Sequence, residues 1–218
     1  PLKVTRLAFA QLEKASPVLA GRIAFELFCR TPSRRPKGAK AKQVFMAGRN
    51  RLRQAQTVRL ALSRGKAAAH LLPTEATGNS GHRILVVHGW GSRAEYLSDL
   101  ALGLRQTGAE VVVLDLPGHG ASSGRRLDLK IAAEAIVAAE RHFGFVFLDV
   151  NLDGIDGFET CRRIKAEPAW SHIPVIFMTG LSETAHVVEG FDAGGVDYVV
   201  KPLRAQEVQA RLATHVRN

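Results

Sequence analysis

At 218 residues with 46% hydrophobic content, the chain can bury one substantial core, or one core and a small appendage, and no apolar run reaches the ~18 residues needed to cross a bilayer. The opening residues lack the charged start, apolar core and small-residue cleavage site of a secretory signal, so a cytoplasmic location is expected. Cys29 and Cys161 stand apart from each other and from any histidine cluster with metal-ligand spacing, which argues against a disulfide framework or a zinc site and leaves two reduced thiols.

The net charge of +10 is local: residues 1–66 hold 16 Lys/Arg against only Glu13 and Glu26. The stretch Arg34, Arg35, Lys37, Lys40, Lys42, then Arg49, Arg51 and Arg53 could attract nucleic acid or an anionic membrane surface through unspecific electrostatics. The alternative is a solvated, partly disordered basic linker, and no aromatic interleaving or groove-reading helix favours the first reading.

In chain order, Val4, Leu7, Ala8 and Leu12, then Val18, Leu19, Ile23, Phe25, Leu27 and Phe28, recur at helical intervals. Two short helices are predicted, separated at Ser16-Pro17, where proline suits a helix start. Pro32–Lys42 reads as a loop. Thr57–Leu62 and Ala67–Leu72 read as a hairpin around Ser63-Arg64-Gly65-Lys66, and Pro73–Gly81 as a turn-rich connection. From Arg83 the pattern alternates between continuous apolar runs and amphipathic stretches. Strands are predicted at Ile84–Val87, Val111–Leu114, Phe145–Leu148, Val175–Met178 and Tyr198–Val200, and helices near Ala94–Gln106, Leu129–His142, Gly157–Ala166, Thr184–Ala193 and Ala205–Val216. Strand-helix units in this succession predict an α/β fold with a doubly wound, mostly parallel five-strand sheet, extended by the N-terminal hairpin and a helical basic arm.

The segments ILVVHGWG at Ile84–Gly91 and VVVLDLPGHGASSG at Val111–Gly124 resemble the α/β-hydrolase family, and the preceding hairpin is similar to that family's first two strands. The resemblance, over about residues 1–144, implies that the backbone N–H of Trp90 takes the oxyanion position and that the D-x-P-G-H-G-x-S loop is a structural turn beside the site. Such chemistry needs a serine on the next strand-to-helix elbow. Ser122 satisfies G-x-S-x-G but lies one strand too early, and at the nucleophile position the chain reads Phe145-Val-Phe-Leu-Asp149. No later acid or histidine completes a triad; His186 and His215 fall on predicted helix surfaces, where solvated histidines are expected.

The segments FVFLDVNLDGIDGFETCRRIK from Phe145, IPVIFMTG from Ile173 and FDAGGVDYVVKPL from Phe191 resemble the bacterial response-regulator receiver family, with its flavodoxin-like CheY-type topology, from its third strand to its last helix. The resemblance implies that Asp149 is the phosphoacceptor, Thr179 the switch hydroxyl, Lys201 the lysine that pairs with the phosphate and Tyr198 the switch aromatic. The residue types suit acyl-phosphate formation: an ionised carboxylate nucleophile, a positive charge to offset the phosphoryl oxygens and a hydroxyl able to follow them. Read singly, Thr179 is also a helix cap, Lys201-Pro202 a loop and Asp153-Gly-Ile-Asp156-Gly a turn.

The family also holds Mg²⁺ with an acidic pair after its first strand, where this chain has His88-Gly89-Trp90. Asp149 with the Asn151 backbone carbonyl makes a weak site for a hard cation. The expected partners are a histidine kinase or phosphotransfer protein, together with a weak anionic partner for the basic arm. Both families flank the Ile84–Val87 strand in the same way, so a join at about Gly144 exchanges one third strand for another. The resulting division is a basic helical arm at 1–55 and one hybrid domain at 56–218, hydrolase-like to 144 and receiver-like from 145. The expected function is a degenerate receiver-type phosphorelay module. The alternatives are an inactive hydrolase-fold esterase or a non-catalytic protein that binds through its basic arm.

Overall fold

The computed structural model describes residues 10–33, 35–74, 83–140, 145–152, 155–180, 184–201 and 204–215. The expectations resting on Val4, Leu7 and Ala8, on most of Pro73–Gly81, on the join at Gly144, and on Asp153 and Pro202 lie outside these residues.

The helices are α1 (Pro17–Phe28), α2 (Ala39–Arg51), α3 (Ser98–Arg105), α4 (Leu129–Glu140), α5 (Gly157–Ala166), α6 (Thr184–Asp192) and α7 (Ala205–His215). The strands are β1 (Gln56–Ala61), β2 (Lys66–Leu72), β3 (Arg83–Val87), β4 (Glu110–Asp115), β5 (Phe145–Asp149), β6 (Asn151–Leu152), β7 (Ile155–Asp156), β8 (Val175–Thr179) and β9 (Asp197–Val200). Seven of them form one sheet in the order β1-β2-β4-β3-β5-β8-β9, and β6 pairs with β7 apart from it. The hairpin β1-β2 is antiparallel and joins β4 antiparallel; every pairing from β4 through β3, β5 and β8 to β9 is parallel. Sequence reading therefore finds each strand of this sheet to within a residue or two at its ends.

The apolar runs are continuous because the parallel strands are covered on both faces. Leu85, Val87, Val112, Leu114, Val146, Leu148, Val175 and Phe177 point to one side, against Ile136 of α4 and Phe158 and Ile164 of α5. Ile84, Val86, Val111, Val113, Phe147, Ile176, Met178 and Val199 point to the other, against Leu100 and Leu104 of α3 and Val208 of α7. This alternation is the period of two of an extended chain. Each core runs without interruption across the hydrolase-like and receiver-like strands, so neither half buries its apolar faces alone.

The N-terminal segment agrees with the sequence reading at one end and corrects it at the other. Pro17 opens α1 behind Ser16, whose hydroxyl accepts from the Leu19 N–H at 3.3 Å. The loop expected through Lys42 instead stops at Gly38, and α2 begins at Ala39. Alanine, lysine and glutamine tolerate a helix well, and a docking contact selects it: a Cβ on Gly48 would come 1.9 Å from the carbonyl oxygen of Glu95. The Arg93 guanidinium also lies 4.4 Å over the Phe45 ring.

At the end of β4 a buried carboxylate organises the loops of the first half. Asp115 Oδ1 accepts from the Ala94 N–H at 2.8 Å, and Oδ2 accepts from the Ala121 N–H at 2.7 Å and faces His70 Nε2 at 3.1 Å. Gly120, at φ 44°, passes so close that a Cβ would lie 2.1 Å from the carboxylate. Burial alone would raise the Asp115 carboxyl. The His70 hydrogen bond and the Ala121 N–H outweigh burial and hold it well below the usual carboxylate range. His88 is fully buried. Its Nδ1 donates to Gly89 O at 2.7 Å, and its Nε2 accepts from the Leu116 N–H at 3.1 Å. An amide can only donate, so this ring is the neutral Nδ1–H tautomer, and burial keeps it neutral by pulling its pKa down.

Two measurements check this architecture. Phe147 is fully buried in a core built from both halves, so Phe147→Ala is expected to cost about 3–5 kcal/mol of stability. Denaturant unfolding should remain a single transition, whereas two resolved transitions would show that the halves fold separately. Stability should also fall on acidification in two windows, because both shifted groups have folded-state pKa values below their unfolded ones. The unfolded chain takes a proton on His88 below about pH 6.5, and one on Asp115 below about pH 4 that the folded state resists. Asp115→Asn should remove the lower window, as read from unfolding free energies across pH.

Candidate functional site

Three strand ends bring the receiver-type residues together at the carboxyl edge of the sheet, where ligands of open α/β folds bind. Asp149 is the last residue of β5 and is buried at 5% exposure. Thr179 ends β8, the next strand, and is also buried. Lys201 follows β9, one strand further, and its N–H donates to Thr179 O at 2.7 Å. Its ammonium reaches across β8 and lies 2.5 Å from Asp149 Oδ2. A carboxylate this buried requires such a counter-charge.

Tyr198 lies partly buried in β9, its ring edge-on to Phe191 at 6.3 Å and under the Arg211 guanidinium at 5.3 Å. Together with Thr179 it lines a cavity of about 10 Å³, room for a single water. Four residues that the receiver resemblance singles out, Asp149, Thr179, Lys201 and Tyr198, thus occupy one corner of the molecule. The short β6-β7 ribbon sets Asn151 opposite Asp156, which caps α5 by accepting from the Phe158 N–H at 2.9 Å.

The donor set around Asp149 does not fit Mg²⁺. A hard dication wants several oxygens, and Asp149 already faces the Lys201 ammonium, leaving the Asn151 backbone carbonyl as the other candidate. In the β3-β5 ladder Val87 pairs with Leu148, so His88 stands level with Asp149, where the receiver family carries acid. Both of its ring nitrogens are engaged. Among the described residues no group of three or more His, Cys, Asp or Glu side chains gathers as a metal would need.

The hydrolase-type positions lie in the packed loops of the first half. Trp90 follows β3, its ring edge-on to His119 at 5.3 Å, while His119 Nε2 accepts from the Gly91 N–H at 3.0 Å. Ser122 is fully buried; its hydroxyl accepts from the Ala68 N–H at 2.7 Å and donates to Asp115 O, pinning the loop to β2 and β4. The two later histidines depart from the solvated surface positions expected of them. His186 of α6 is half-buried, stacked on Phe158 with ring centroids 6.4 Å apart, and His215 of α7 meets Asp197 at 3.2 Å. Both helices lie against the sheet, and these positions face neighbouring elements. Both thiols are free and buried, and burial pushes Cys161 up to about 11.

Sequence reading missed Asp115 as an organising group. Its one trace in the sequence is an acidic residue closing an otherwise apolar strand, a signal it shares with Asp149. Among the described residues no helix is long and apolar enough to cross a membrane.

Comparison with known proteins finds both families, with bounds that differ from the division at 144. Residues 127–213 match the family model of the response regulator receiver domain, and residues 78–143 match that of serine aminopeptidase S33. Over 78 residues the chain is 40% identical to the transcriptional regulatory protein AfsQ1 of Streptomyces coelicolor, covering 36% of this chain and 33% of that protein. It is 38% identical over 78 residues to the transcriptional regulatory protein ResD of Bacillus subtilis, covering 36% and 31%. The chain thus spans about a third of the length of these relatives. The BeF3-activated receiver domain of DrrB, a Thermotoga maritima protein, superposes with a TM-score of 0.47 at 28% identity, over 63% of this chain and 98% of that one. The two family matches overlap at 127–143, across helix α4, and the chain accordingly reads as a hybrid by similarity, a segment like the serine aminopeptidase S33 family and a segment like the response regulator receiver family in one sheet.

Proposed function

We propose that the chain is a receiver-type phosphorelay signalling module whose phosphoacceptor is Asp149, and that it is degenerate because the metal-binding acids are replaced by His88 and Gly89. The supporting observation is the Lys201 ammonium, 2.5 Å from Asp149 Oδ2, with Thr179 at the end of the intervening strand. In this reading an Asp149 carboxylate oxygen forms a P–O bond as the donor's bond to phosphorus breaks. The leaving group is the imidazole of a histidine kinase or phosphotransfer protein, or acetate from acetyl phosphate. Lys201 offsets the phosphoryl charge, the Thr179 hydroxyl follows it, and Tyr198 moves with Thr179. Residues 56–218 act as one domain, with 1–55 as the basic N-terminal segment.

A bound divalent ion supplies several kcal/mol to this kind of transfer, and a neutral buried imidazole is a softer donor that suits Mg²⁺ poorly. Labelling by acetyl phosphate with Mg²⁺ is therefore expected to be weak and to occur at Asp149. The pair His88→Asp and Gly89→Asp should raise it by roughly tenfold or more. Mass spectrometry reads both outcomes; strong labelling of the unmodified chain, or labelling that persists in Asp149→Ala, would overturn the reading.

The rival esterase reading finds no support in Ser122, whose hydroxyl is spent on Ala68 and Asp115. Hydrolysis of an activated ester should stay at the background rate in both the parent and Ser122→Ala. The variant should instead lose about 1–3 kcal/mol of stability, because the Ala68 N–H would be left buried without its acceptor.

A further inference from the structure

The N-terminal segment shows two features that neither half of the fold uses. The first is α1, which buries only Ala20 and exposes Val18, Leu19, Ile23, Phe25, Leu27 and Phe28, at 68% for Val18 and 54% for Phe25. A helix apolar on nearly all sides is not a soluble surface element, and contiguous exposed apolar area of this kind marks a docking surface. The helix is also fixed in place. Glu26 pairs with Arg126, whose guanidinium lies 5.8 Å over the Phe25 ring, and immediately beyond the helix the Leu127 N–H donates to Cys29 O at 2.9 Å.

The second feature is charge. Residues 1–66 carry a surplus of +14, and it brackets the helix, with Lys14 before it and Arg30, Arg35, Lys37 and Lys40 after it. Beside α1 opens a cleft of about 540 Å³ in which Phe25 and Phe28 face Leu129 and Ile131, with Arg64 and Lys130 at its walls. An exposed apolar helix with basic residues before and after it in the chain, and with Arg64 and Lys130 at the cleft beside it, matches a broad, flat, negatively charged surface with an apolar interior. Buried apolar area and electrostatic attraction then add.

We infer that α1 and the basic residues around it dock the protein onto the surface of an anionic lipid bilayer, with Phe25 and Phe28 entering the headgroup boundary and the basic side chains meeting lipid phosphates. The inference stands apart from the phosphoacceptor reading, since none of these residues belongs to that site.

Cosedimentation with phosphatidylcholine vesicles containing about 30% phosphatidylserine tests it. Binding is expected to these vesicles and not to phosphatidylcholine alone, and it should weaken at least tenfold between about 0.1 M and 0.5 M salt. The double variant Phe25→Ser/Phe28→Ser changes exposed positions and should keep the parent's unfolding transition while binding about tenfold more weakly. The variant Lys37→Gln/Lys40→Gln, lacking charge but keeping the apolar face, should also bind more weakly. Three results would overturn the inference. One is no binding to the anionic vesicles. Another is vesicle binding unaffected by the Phe25/Phe28 substitutions. The third is capture of a DNA duplex, or stable self-association through α1, in place of vesicle binding.

Discussion

Between β3 and β5 runs a parallel ladder in which Ile84 faces Phe145, Leu85 faces Val146, Val86 faces Phe147 and Val87 faces Leu148. This seam is where a strand of hydrolase type meets one of receiver type, and every other pairing of the parallel sheet is built outward from it. Side chains alternate between faces, so a slip of one residue would drive Phe147 and Leu148 into the wrong cores. The same register sets His88 beside Asp149. The site's geometry thus follows from a single constraint, a strand that must present apolar residues to both faces and can change chemistry only past its end.

Two buried carboxylates at the same sheet edge show how surroundings divide roles. Asp115 is closed in by Ala94, Ala121, His70 and the approach of Gly120. Its oxygens are consumed by loop backbone, and the group works as a staple. Asp149 is also buried, and the Lys201 ammonium that faces it ends a long, partly exposed side chain. Equal burial therefore does not mean equal function. A carboxylate held by rigid amides holds structure, and one that faces a flexible cation has a partner able to move.

The hydrolase-like half persists as scaffold for a related reason. Its glycine-rich turns, its serine and its histidines form a connected set of hydrogen bonds among β2, β4 and the loop after β3. With Asp149 and no serine at the end of β5, the loop groups of the first half bond to one another. Neutral His88, held by Leu116 and Gly89, belongs to this set. The residue at that position is therefore tied to the hydrogen bonds of the first half as well as set beside Asp149 of the second.

The sequence by itself determined the sheet and the corner where Asp149, Thr179, Lys201 and Tyr198 meet. Strand signals are local in an apolar run, and spacing along alternating strands and helices translates directly into neighbouring strand ends. It also determined that the serine of G-x-S-x-G stands one strand too early. Only the tertiary structure decided that 39–51 is a helix, because a weakly apolar stretch is selected by its contacts with Glu95 and Arg93. It likewise decided that Asp115 organises the first half, that His88 is neutral with both nitrogens engaged, and that His186 and His215 face partners and not water. In each case the energy comes from a group distant in the chain and brought close by folding, which local periodicity cannot register.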